Sequence, residues 1–313
     1  MADLRRPAPS SAAAPSADAL ADVLRQVRRI ELRTRGLVSS QFVGEYHSVF
    51  KGQGIEFVEV RPYVPGDDVR TIDWNVSART AETHVKKYVE ERELTVLLAV
   101  DLSGSQRFGT RGRFKSEIVP EVAATLAMSA VRNNDRVALL AFTDRTELFV
   151  PPRKGRRHVL RLVRDLLALE PAGRGTDLAG AVAYAARVLR SRSIVFLLSD
   201  FQSPDPEPFE RAIATLAVRH DVVPMTIADP ADAELPDVGL LSLADPETGR
   251  VSLVDTGSAT VRRRFAEAAE ASRLRTRGLF RRLGLDEVVL RTDEPFSGPL
   301  LAFFRRRESR LRR

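Results

Sequence analysis

The sequence predicts an α/β fold: a doubly wound, mostly parallel sheet preceded by a small β-rich segment. Residues 94–100 (LTVLLAV) form an apolar run interrupted only by Thr95, which is typical of a strand buried on both faces of a parallel sheet. Similar runs recur at 136–142 and 193–199, and stretches with helical spacing separate them. Alternation of buried strands and helices indicates a sheet covered by helices on both faces.

The predicted elements begin with a disordered tail and a helix. Residues 1–18 are rich in Pro, Ala and Ser, so we expect disorder there. Residues 19–35 repeat apolar side chains at helical spacing, and the following segment to residue 93 combines turn signals with short strands such as 55–60. After the first buried strand we expect a helix at 113–132, strands at 136–142 and 146–150, helices at 156–169 and 177–190, a strand at 193–199, a helix at 206–219, a strand at 221–228, a hairpin at 240–255, a helix at 258–283, a strand at 287–291 and a short terminal helix.

These elements divide the chain into four predicted parts. They are a disordered tail at 1–18, an N-terminal helix with the β-rich segment at 19–93, the main α/β domain at 94–292, and a C-terminal helix with an Arg-rich tail at 293–313.

The positive charge of the protein is concentrated near one end of the chain. The 313 residues have a net charge of +7, but residues 262–313 contain 15 arginines, no lysine and 7 acidic residues. The rest of the chain is therefore close to neutral, and the pI alone does not predict nucleic-acid binding. The absence of cysteine excludes disulfides, thiol catalysis and Cys-ligated metal sites.

The hydropathy pattern predicts no membrane span and no signal peptide. The longest apolar runs are about seven residues, whereas a helix needs about 20 to cross a bilayer. Prolines and aspartates interrupt the first 22 residues, so they lack the apolar stretch of a secretory signal. We expect a cytoplasmic protein.

Oxygen-bearing side chains follow two of the predicted buried strands. The first strand runs into the sequence DLSGS, with Asp101, Ser103 and Ser105 at alternate positions, and Asp200 follows the strand at 193–199. A glycine-rich loop before the helix at 177–190 adds Thr176. In open α/β sheets ligands bind at the carboxyl ends of the strands, and carboxylates and hydroxyls favour Mg²⁺, Mn²⁺ or Ca²⁺ over softer metals.

Each of these residues alone has a simpler interpretation, since Asp and Ser often cap helices or fill turns. The combination, in this order, resembles the metal-ion-dependent adhesion site of von Willebrand factor type A domains. That resemblance implies that Ser103, Ser105 and Thr176 ligate the cation through their hydroxyls. It also implies that Asp101 and Asp200 bind directly or through water, with one position open for a partner's carboxylate.

The region before this motif resembles a bacterial family called domain of unknown function 58. The matching elements within residues 52–92 are Gly54, Glu56-Phe57, Arg61-Pro62-Tyr63, Gly66-Asp67-Asp68, Arg70, Ile72-Asp73-Trp74, Ser77-Ala78-Arg79, Val85-Lys86 and Glu91-Arg92. The resemblance covers roughly residues 20–305, and it departs at Gln106, where many relatives have methionine. It implies a non-enzymatic adaptor or co-chaperone whose partner is a MoxR-type AAA+ ATPase or another protein that offers an acidic residue.

The charged residues between 61 and 92 have two interpretations. They either bridge the β-rich segment to the sheet, with Trp74 as the aromatic anchor between them, or form a partner-binding surface. Arg61, Trp74 and Arg79 are the candidate contacts for a partner, since Trp and Arg dominate binding hot spots.

Two other functions remain open. A metal-dependent phosphohydrolase would use Asp101 and Asp200 to activate water, but the four scattered histidines offer no evident general base and no nucleotide-binding motif occurs. The tail at 305–313 (RRRESRLRR) would bind nucleic acid or anionic lipid through its arginines. Without interleaved aromatic residues, such a tail more often stays solvated or pairs with acids, so we do not expect a nucleic-acid reader.

Overall fold

The computed structural model describes residues 17–38, 44–46, 49–50, 56–80, 82–89, 93–107, 109, 113–202 and 205–311. The strands are β1 (Glu56–Pro62), β2 (His84–Val89), β3 (Thr95–Asp101), β4 (Arg136–Phe142), β5 (Thr146–Arg153), β6 (Ile194–Ser199), β7 (Asp221–Ala228), β8 (Leu240–Ala244), β9 (Val251–Asp255) and β10 (Val288–Arg291). The helices are α1 (Ala17–Leu37), α2 (Trp74–Thr80), α3 (Lys115–Arg132), α4 (Arg156–Ala168), α5 (Leu178–Val188), α6 (Pro206–Arg219), α7 (Ala259–Arg282) and α8 (Ser297–Leu311).

The main sheet has six strands in the order β10-β7-β6-β3-β4-β5 within the described residues. Neighbouring strands are parallel except for β5, which runs antiparallel to β4 at one edge. The predicted α/β fold with a mostly parallel sheet is therefore confirmed. Two further antiparallel pairs, β1–β2 and β8–β9, are separate two-stranded sheets.

Both faces of the main sheet are covered by helices, which explains the unbroken apolar runs of its strands. Along β3 the side chains of Val96, Leu98 and Val100 join one core, which contains residues of α1, α3, α4 and α8. Leu97 and Ala99 point to the opposite core, which contains residues of α5, α6 and α7. Because successive side chains of a strand alternate between faces, a strand between two helical layers has to be apolar at every position.

The element boundaries predicted from the sequence agree with the structure to within two residues, except at β5. That strand was predicted to end at residue 150, and it continues through two prolines to Arg153. An edge strand tolerates proline because one side of its backbone has no partner strand. The predicted disordered tail lies outside the described residues up to position 16, and α1 begins at Ala17. The proposed domain boundaries stay predictions.

Charged side chains in the segment between α1 and β3 bond to groups within the same segment. Arg61 forms two hydrogen bonds of 2.7 Å with the carboxylate of Asp67, and Asp73 accepts hydrogen bonds from the first amides of α2. The expectation that Trp74 anchors this segment to the sheet is wrong. Trp74 is the first residue of α2, and its side chain is 70% exposed to solvent. The side chains of residues 86–92 lie outside the described part.

The Arg-rich end of the chain is largely helical and paired with acids. In α8, the guanidinium groups of Arg305, Arg307 and Arg310 form ion pairs with Glu45, Asp221 and Asp286, respectively. The acid-pairing interpretation of this tail thus holds for three of its arginines. In the described part of the chain, no helix has the length and apolar composition needed to cross a bilayer.

Candidate functional site

Two strand ends meet at one edge of the main sheet. β3 and β6 are parallel neighbours, with Val100 opposite Leu198, so their carboxyl ends lie side by side. β3 ends at Asp101 and β6 ends at Ser199, followed by Asp200. The structure therefore brings the two predicted aspartates to the same edge, as expected where ligands collect in open α/β sheets.

The carboxylate of Asp101 is fully buried and held by two donors. One oxygen accepts a 2.9 Å hydrogen bond from the backbone amide of Ser103, and the other accepts a 2.6 Å hydrogen bond from the hydroxyl of Ser199. Burial, with a further contribution from the charge of nearby Asp200, raises the pKa of Asp101 to about 7. A carboxylate so placed is costly when ionised alone, and a cation beside it would favour its charged form.

The serine loop, residues 102–105, turns back sharply after β3. Its two hydroxyls, on Ser103 and Ser105, lie 3.1 Å apart. The amide of Gly104 donates to the carbonyl of Arg174 at 2.8 Å, which ties this loop to the loop that carries Thr176. The two serines thus offer a pair of oxygens on the same side of the loop.

The loop before α5 is fixed to the ends of β4 and β5. The side chain of Glu147 accepts hydrogen bonds from the hydroxyl of Thr143 and from the amide of Gly173. A Cβ at Gly173 would lie 2.2 Å from the Thr143 hydroxyl, so only glycine permits this approach. Together with the bond from Gly104 to the carbonyl of Arg174, these contacts hold the loop that carries Thr176 against the serine loop.

The carboxylate of Asp200 is paired with a buried lysine. The ammonium of Lys115, at the start of α3, lies 3.0 Å from Asp200 and 2.9 Å from Asp232, and the lysine side chain is 1% exposed. Burial lowers the pKa of Lys115, but the charges of the two aspartates outweigh this effect and the pKa is raised. Lys115 therefore stays charged and partly neutralises the acidic site.

The residue after Asp200 adopts a conformation that is rare for a large side chain. Phe201 has a φ of 55°, in the left-handed region, and its amide donates to the hydroxyl of Ser199. Its ring is buried against Phe209 and Phe280 on the other side of the chain. With this backbone conformation, the carboxylate of Asp200 contacts Lys115 while the ring of Phe201 packs into the core.

A third carboxylate reaches the site from the β8–β9 hairpin. The hydroxyl of Thr176 donates a 2.6 Å hydrogen bond to Glu247, a residue of the hairpin tip. Burial and the neighbouring charges of Asp200, Asp245 and Asp144 raise the pKa of Glu247, although the bond from Thr176 opposes this shift. The tip also lies against the serine loop, because a Cβ at Gly104 would be 2.2 Å from the carbonyl oxygen of Pro246.

Sequence reasoning missed Lys115, Asp232 and Glu247. One signal did mark Lys115: the chain has only five lysines against 44 arginines, so a lysine at the start of a helix was unusual. The N-terminus of a helix favours acidic side chains, because the helix dipole places partial positive charge at that end. No local pattern distinguishes Asp232 or Glu247, since both reach the site only through the folding of distant segments.

The candidate partner contacts lie on the segment before β3. Arg79 and Trp74 are exposed on α2, and their role in partner binding stays a prediction, as does that of Arg61. His158 bonds the carbonyl of Val137, at the opposite end of β4 from the site.

The donor set of the site is made of oxygen atoms. The described residues contain no group of three or more His, Cys, Asp or Glu side chains that could hold a metal ion. The candidate site offers two carboxylates and three hydroxyls instead, and this combination suits a hard cation such as Mg²⁺. The ligand roles of its five residues stay predictions.

Comparisons with known proteins find relatives without an assigned activity. A family model described as "Protein of unknown function DUF58" matches residues 59–275. An uncharacterized protein of Mycobacterium tuberculosis is 34% identical over 279 residues, which cover 88% of this chain and 87% of the relative. The protein YeaD of Bacillus subtilis, also uncharacterized, is 26% identical over 131 residues, which cover 42% of this chain and 29% of that protein.

Solved structures show similarity at lower identity. A conserved hypothetical protein, BatB from Bacteroides thetaiotaomicron, aligns with a TM-score of 0.43 and 16% identity, covering 69% of this chain and 99% of that one. A von Willebrand factor type A protein from Catenulispora acidiphila aligns with a TM-score of 0.38 and 15% identity, covering 70% of this chain and 43% of that one.

Proposed function

The chain belongs to the DUF58 family of proteins of unknown function, and we propose that it is a non-enzymatic, metal-dependent protein-interaction module. The observation that carries this proposal is the buried Asp101 carboxylate beside Asp200, at a strand edge where Ser103, Ser105 and Thr176 add hydroxyl oxygens. Buried carboxylates of like charge are stable together when a cation lies between them.

The residues present fit a divalent cation. Asp101, Ser103, Ser105, Thr176 and Asp200 would hold Mg²⁺, or Mn²⁺ or Ca²⁺. The bound cation would supply positive charge that attracts an acidic side chain of a partner. Serine and threonine hydroxyls are neutral ligands, so they leave more of the charge of the cation for such a partner than carboxylates would.

The chain's own residues hold the two aspartates in place. The hydroxyl of Ser199 and the amide of Ser103 fix the orientation of Asp101. Lys115 holds one oxygen of Asp200 and so limits how that carboxylate can rotate. Lys115 also reduces the negative charge of the site, so a bound cation would keep more of its own charge for a partner's carboxylate.

The absence of catalysis is part of the proposal. A hydrolase at this site would need a group that takes a proton from water. Of the described histidines, His84 bonds the carbonyl of Glu82, His158 bonds the carbonyl of Val137, and His220 lies just before β7, at the opposite end of the sheet from the site. The ammonium of Lys115 is already paired with two carboxylates and stays protonated. Of the carboxylates that could take a proton, Asp101 accepts hydrogen bonds from Ser103 and Ser199, and Glu247 accepts one from Thr176. On these contacts we propose binding rather than reaction.

Isothermal titration with Mg²⁺ and Mn²⁺ tests the metal step. The double variant Asp101→Ala, Ser103→Ala should lose binding by at least about 100-fold, because a charged and a neutral ligand are both removed. The matched control, Asp237→Ala with Ser191→Ala, removes the same residue types at exposed positions and should bind as the unchanged protein does. Equal binding by all three proteins would contradict the proposal.

The family resemblance supplies the proposed partner, a MoxR-type AAA+ ATPase for which this chain acts as adaptor or co-chaperone. A pull-down of the purified ATPase with the immobilised chain should succeed with Mg²⁺ and fail with EDTA. The double variant at Asp101 and Ser103 should fail in both conditions. Capture that is independent of EDTA and of these residues would show that metal does not mediate the contact.

A further inference from the structure

We propose that Glu247, held by the hydroxyl of Thr176, is a built-in acidic group whose carboxylate covers the open face of the metal site until an acidic side chain of a partner displaces it. This inference rests on the proposed function and adds the regulation of the same site. It makes the β8–β9 hairpin a displaceable cover, and it identifies the partner's binding group as a carboxylate that competes with one from the chain itself.

The first support is the contact between Glu247 and Thr176. The Thr176 hydroxyl donates its proton to the carboxylate at 2.6 Å, which leaves the lone pairs of the same oxygen free to face a cation. A carboxylate within hydrogen-bonding distance of a candidate ligand lies where a partner's acidic side chain would have to enter. The chain therefore presents to its own site the chemical group that a partner is expected to bring.

The second support is that the hairpin tip is shaped to present this residue. Asp245 accepts hydrogen bonds from the amides of Glu247 and Thr248, and its carbonyl accepts the amide of Gly249, which has a φ of 71°. These bonds close a tight turn without help from the rest of the protein. Within the tip, Glu247 is half-buried while its neighbours Asp245 and Thr248 are exposed, so Glu247 is turned inward.

The third support is the fit between the tip and the serine loop. The carbonyl of Pro246 occupies the space in which any side chain at Gly104 would lie. The motif DLSGS therefore needs glycine at its fourth position for the hairpin to sit on the site. Because Gly104 lies between the two serines, the tip touches the loop that carries two of the proposed ligands.

The fourth support is that little else holds the hairpin down. Leu240, Val251 and Leu253 are between 68% and 70% exposed, and neither apolar core of the described residues includes a hairpin side chain. Elements with few buried apolar contacts open at low free-energy cost. The cover can therefore leave the site while the sheet and the serine loop stay folded.

The closing experiment compares the protein with its Glu247→Gln variant, using Mn²⁺ as the probe. Glutamine keeps the size of the side chain and an acceptor for Thr176 but loses the charge. Water-proton relaxation of bound Mn²⁺ should rise in the variant by the contribution of about one additional water ligand. The affinity for Mn²⁺, from the same titration, should fall about tenfold, as when a supporting carboxylate is removed from a metal site.

A second measurement follows the hairpin itself. This measurement uses diamagnetic Mg²⁺ in place of Mn²⁺. Addition of Mg²⁺ to the unchanged protein should slow amide hydrogen exchange of residues 240–255, and addition of Mg²⁺ to Glu247→Gln should not. The matched control is Glu267→Gln, which removes the same charge on the exposed face of α7 and should behave as the unchanged protein in both measurements.

The outcomes separate this inference from the proposed function. If the unchanged protein binds Mn²⁺ but Glu247→Gln shows the same relaxation, affinity and hairpin exchange, Glu247 does not cover the site and only this inference fails. If the unchanged protein binds no Mn²⁺, both proposals fail together. Changes that also occur in Glu267→Gln would show a general charge effect and would overturn the assignment.

Discussion

The two sides of the candidate site are held in the molecule in opposite ways. The serine loop follows β3, in which residues 96–101 are all buried and pack between two apolar cores. The β8–β9 hairpin lies on the surface, with apolar side chains such as Leu240 and Leu253 open to solvent. One side is part of the core, and the other side rests on it through a tip of a few residues.

This difference suggests that the strand ends and the hairpin have different roles in the site. A binding site needs fixed donors, and rigid strand ends supply them with greater precision than loops do. Exchange of ligands needs an element that moves without unfolding the rest, and weakly packed segments supply it. Asp101 ends a buried strand and the other proposed ligands lie on loops joined to the ends of the sheet, whereas Glu247 lies on the second kind of element.

The largest expected effect is on the side of the site formed by the strand ends. Lys115→Met leaves the carboxylates of Asp200 and Asp232 without their cation, so the free energy of unfolding should fall by about 3–5 kcal/mol. Lys154→Met is the matched control: that lysine pairs with Glu93 near the surface, with about a third of its side chain exposed. Its loss should cost about 1 kcal/mol or less.

Urea unfolding of the two variants measures both values in the same buffer. Equal losses for Lys115→Met and Lys154→Met would show that the Lys115 pairs do not stabilise the strand edge. Added Mg²⁺ should recover part of the loss in Lys115→Met, since a bound cation would take over the charge of the missing ammonium.

The next effect concerns the pH dependence of the metal-free protein. An aspartate in an unfolded chain loses its proton near its ordinary pKa of 3.8, whereas folded Asp101 keeps the proton to about pH 7. Between these values the folded protein binds more protons, so its free energy of unfolding falls as the pH rises. From pH 5 to pH 8 this carboxyl should lower stability by about 2–3 kcal/mol.

Urea unfolding in EDTA at pH 5 and pH 8 measures this difference. Asp101→Asn, which cannot ionise, should remove most of it and be the more stable protein at pH 8. Saturating Mg²⁺ should reverse the order at pH 8, because only the carboxylate binds the cation. A variant with the same pH dependence as the unchanged protein would contradict the assigned pKa.

The smallest effect is expected in the β8–β9 hairpin. Leu253→Ala should change the free energy of unfolding by less than about 0.5 kcal/mol, because this leucine is 70% exposed. The same substitution at Leu98, which is buried in β3, should cost about 2–5 kcal/mol. A large loss at Leu253 would mean that the hairpin is an integral part of the fold, and would weaken its role as a displaceable cover.

The fold was predictable because its signal repeats along the chain. Each strand of the main sheet except β5 and β10 is a long apolar run, and each helix between them has an apolar face, so type and order follow from local patterns. The hairpin was also predictable, from the turn residues Asp245 to Gly249 between two short apolar stretches. The prolines of β5 obscured its end, since their effect depends on whether a strand lies at an edge.

The site was predictable only in part. Asp101, Ser103 and Asp200 could be placed together because parallel strand ends share one edge of the sheet. Lys115 and Glu247 could not, because their positions depend on how α3 and the hairpin pack against that edge. The exposure of Trp74 could not be predicted either, because an aromatic side chain is as typical of a buried core as of an exposed binding surface.

The C-terminal helix has a consequence for the order in which this protein folds during synthesis. Leu300, Phe303 and Phe304 complete the core around Tyr46 and Phe50, which leave the ribosome about 250 residues earlier. Contacts so distant in sequence form late. Until α8 emerges, the faces of Tyr46 and Phe50 that Phe304 covers remain open, so the nascent chain carries an exposed apolar surface that a chaperone would recognise.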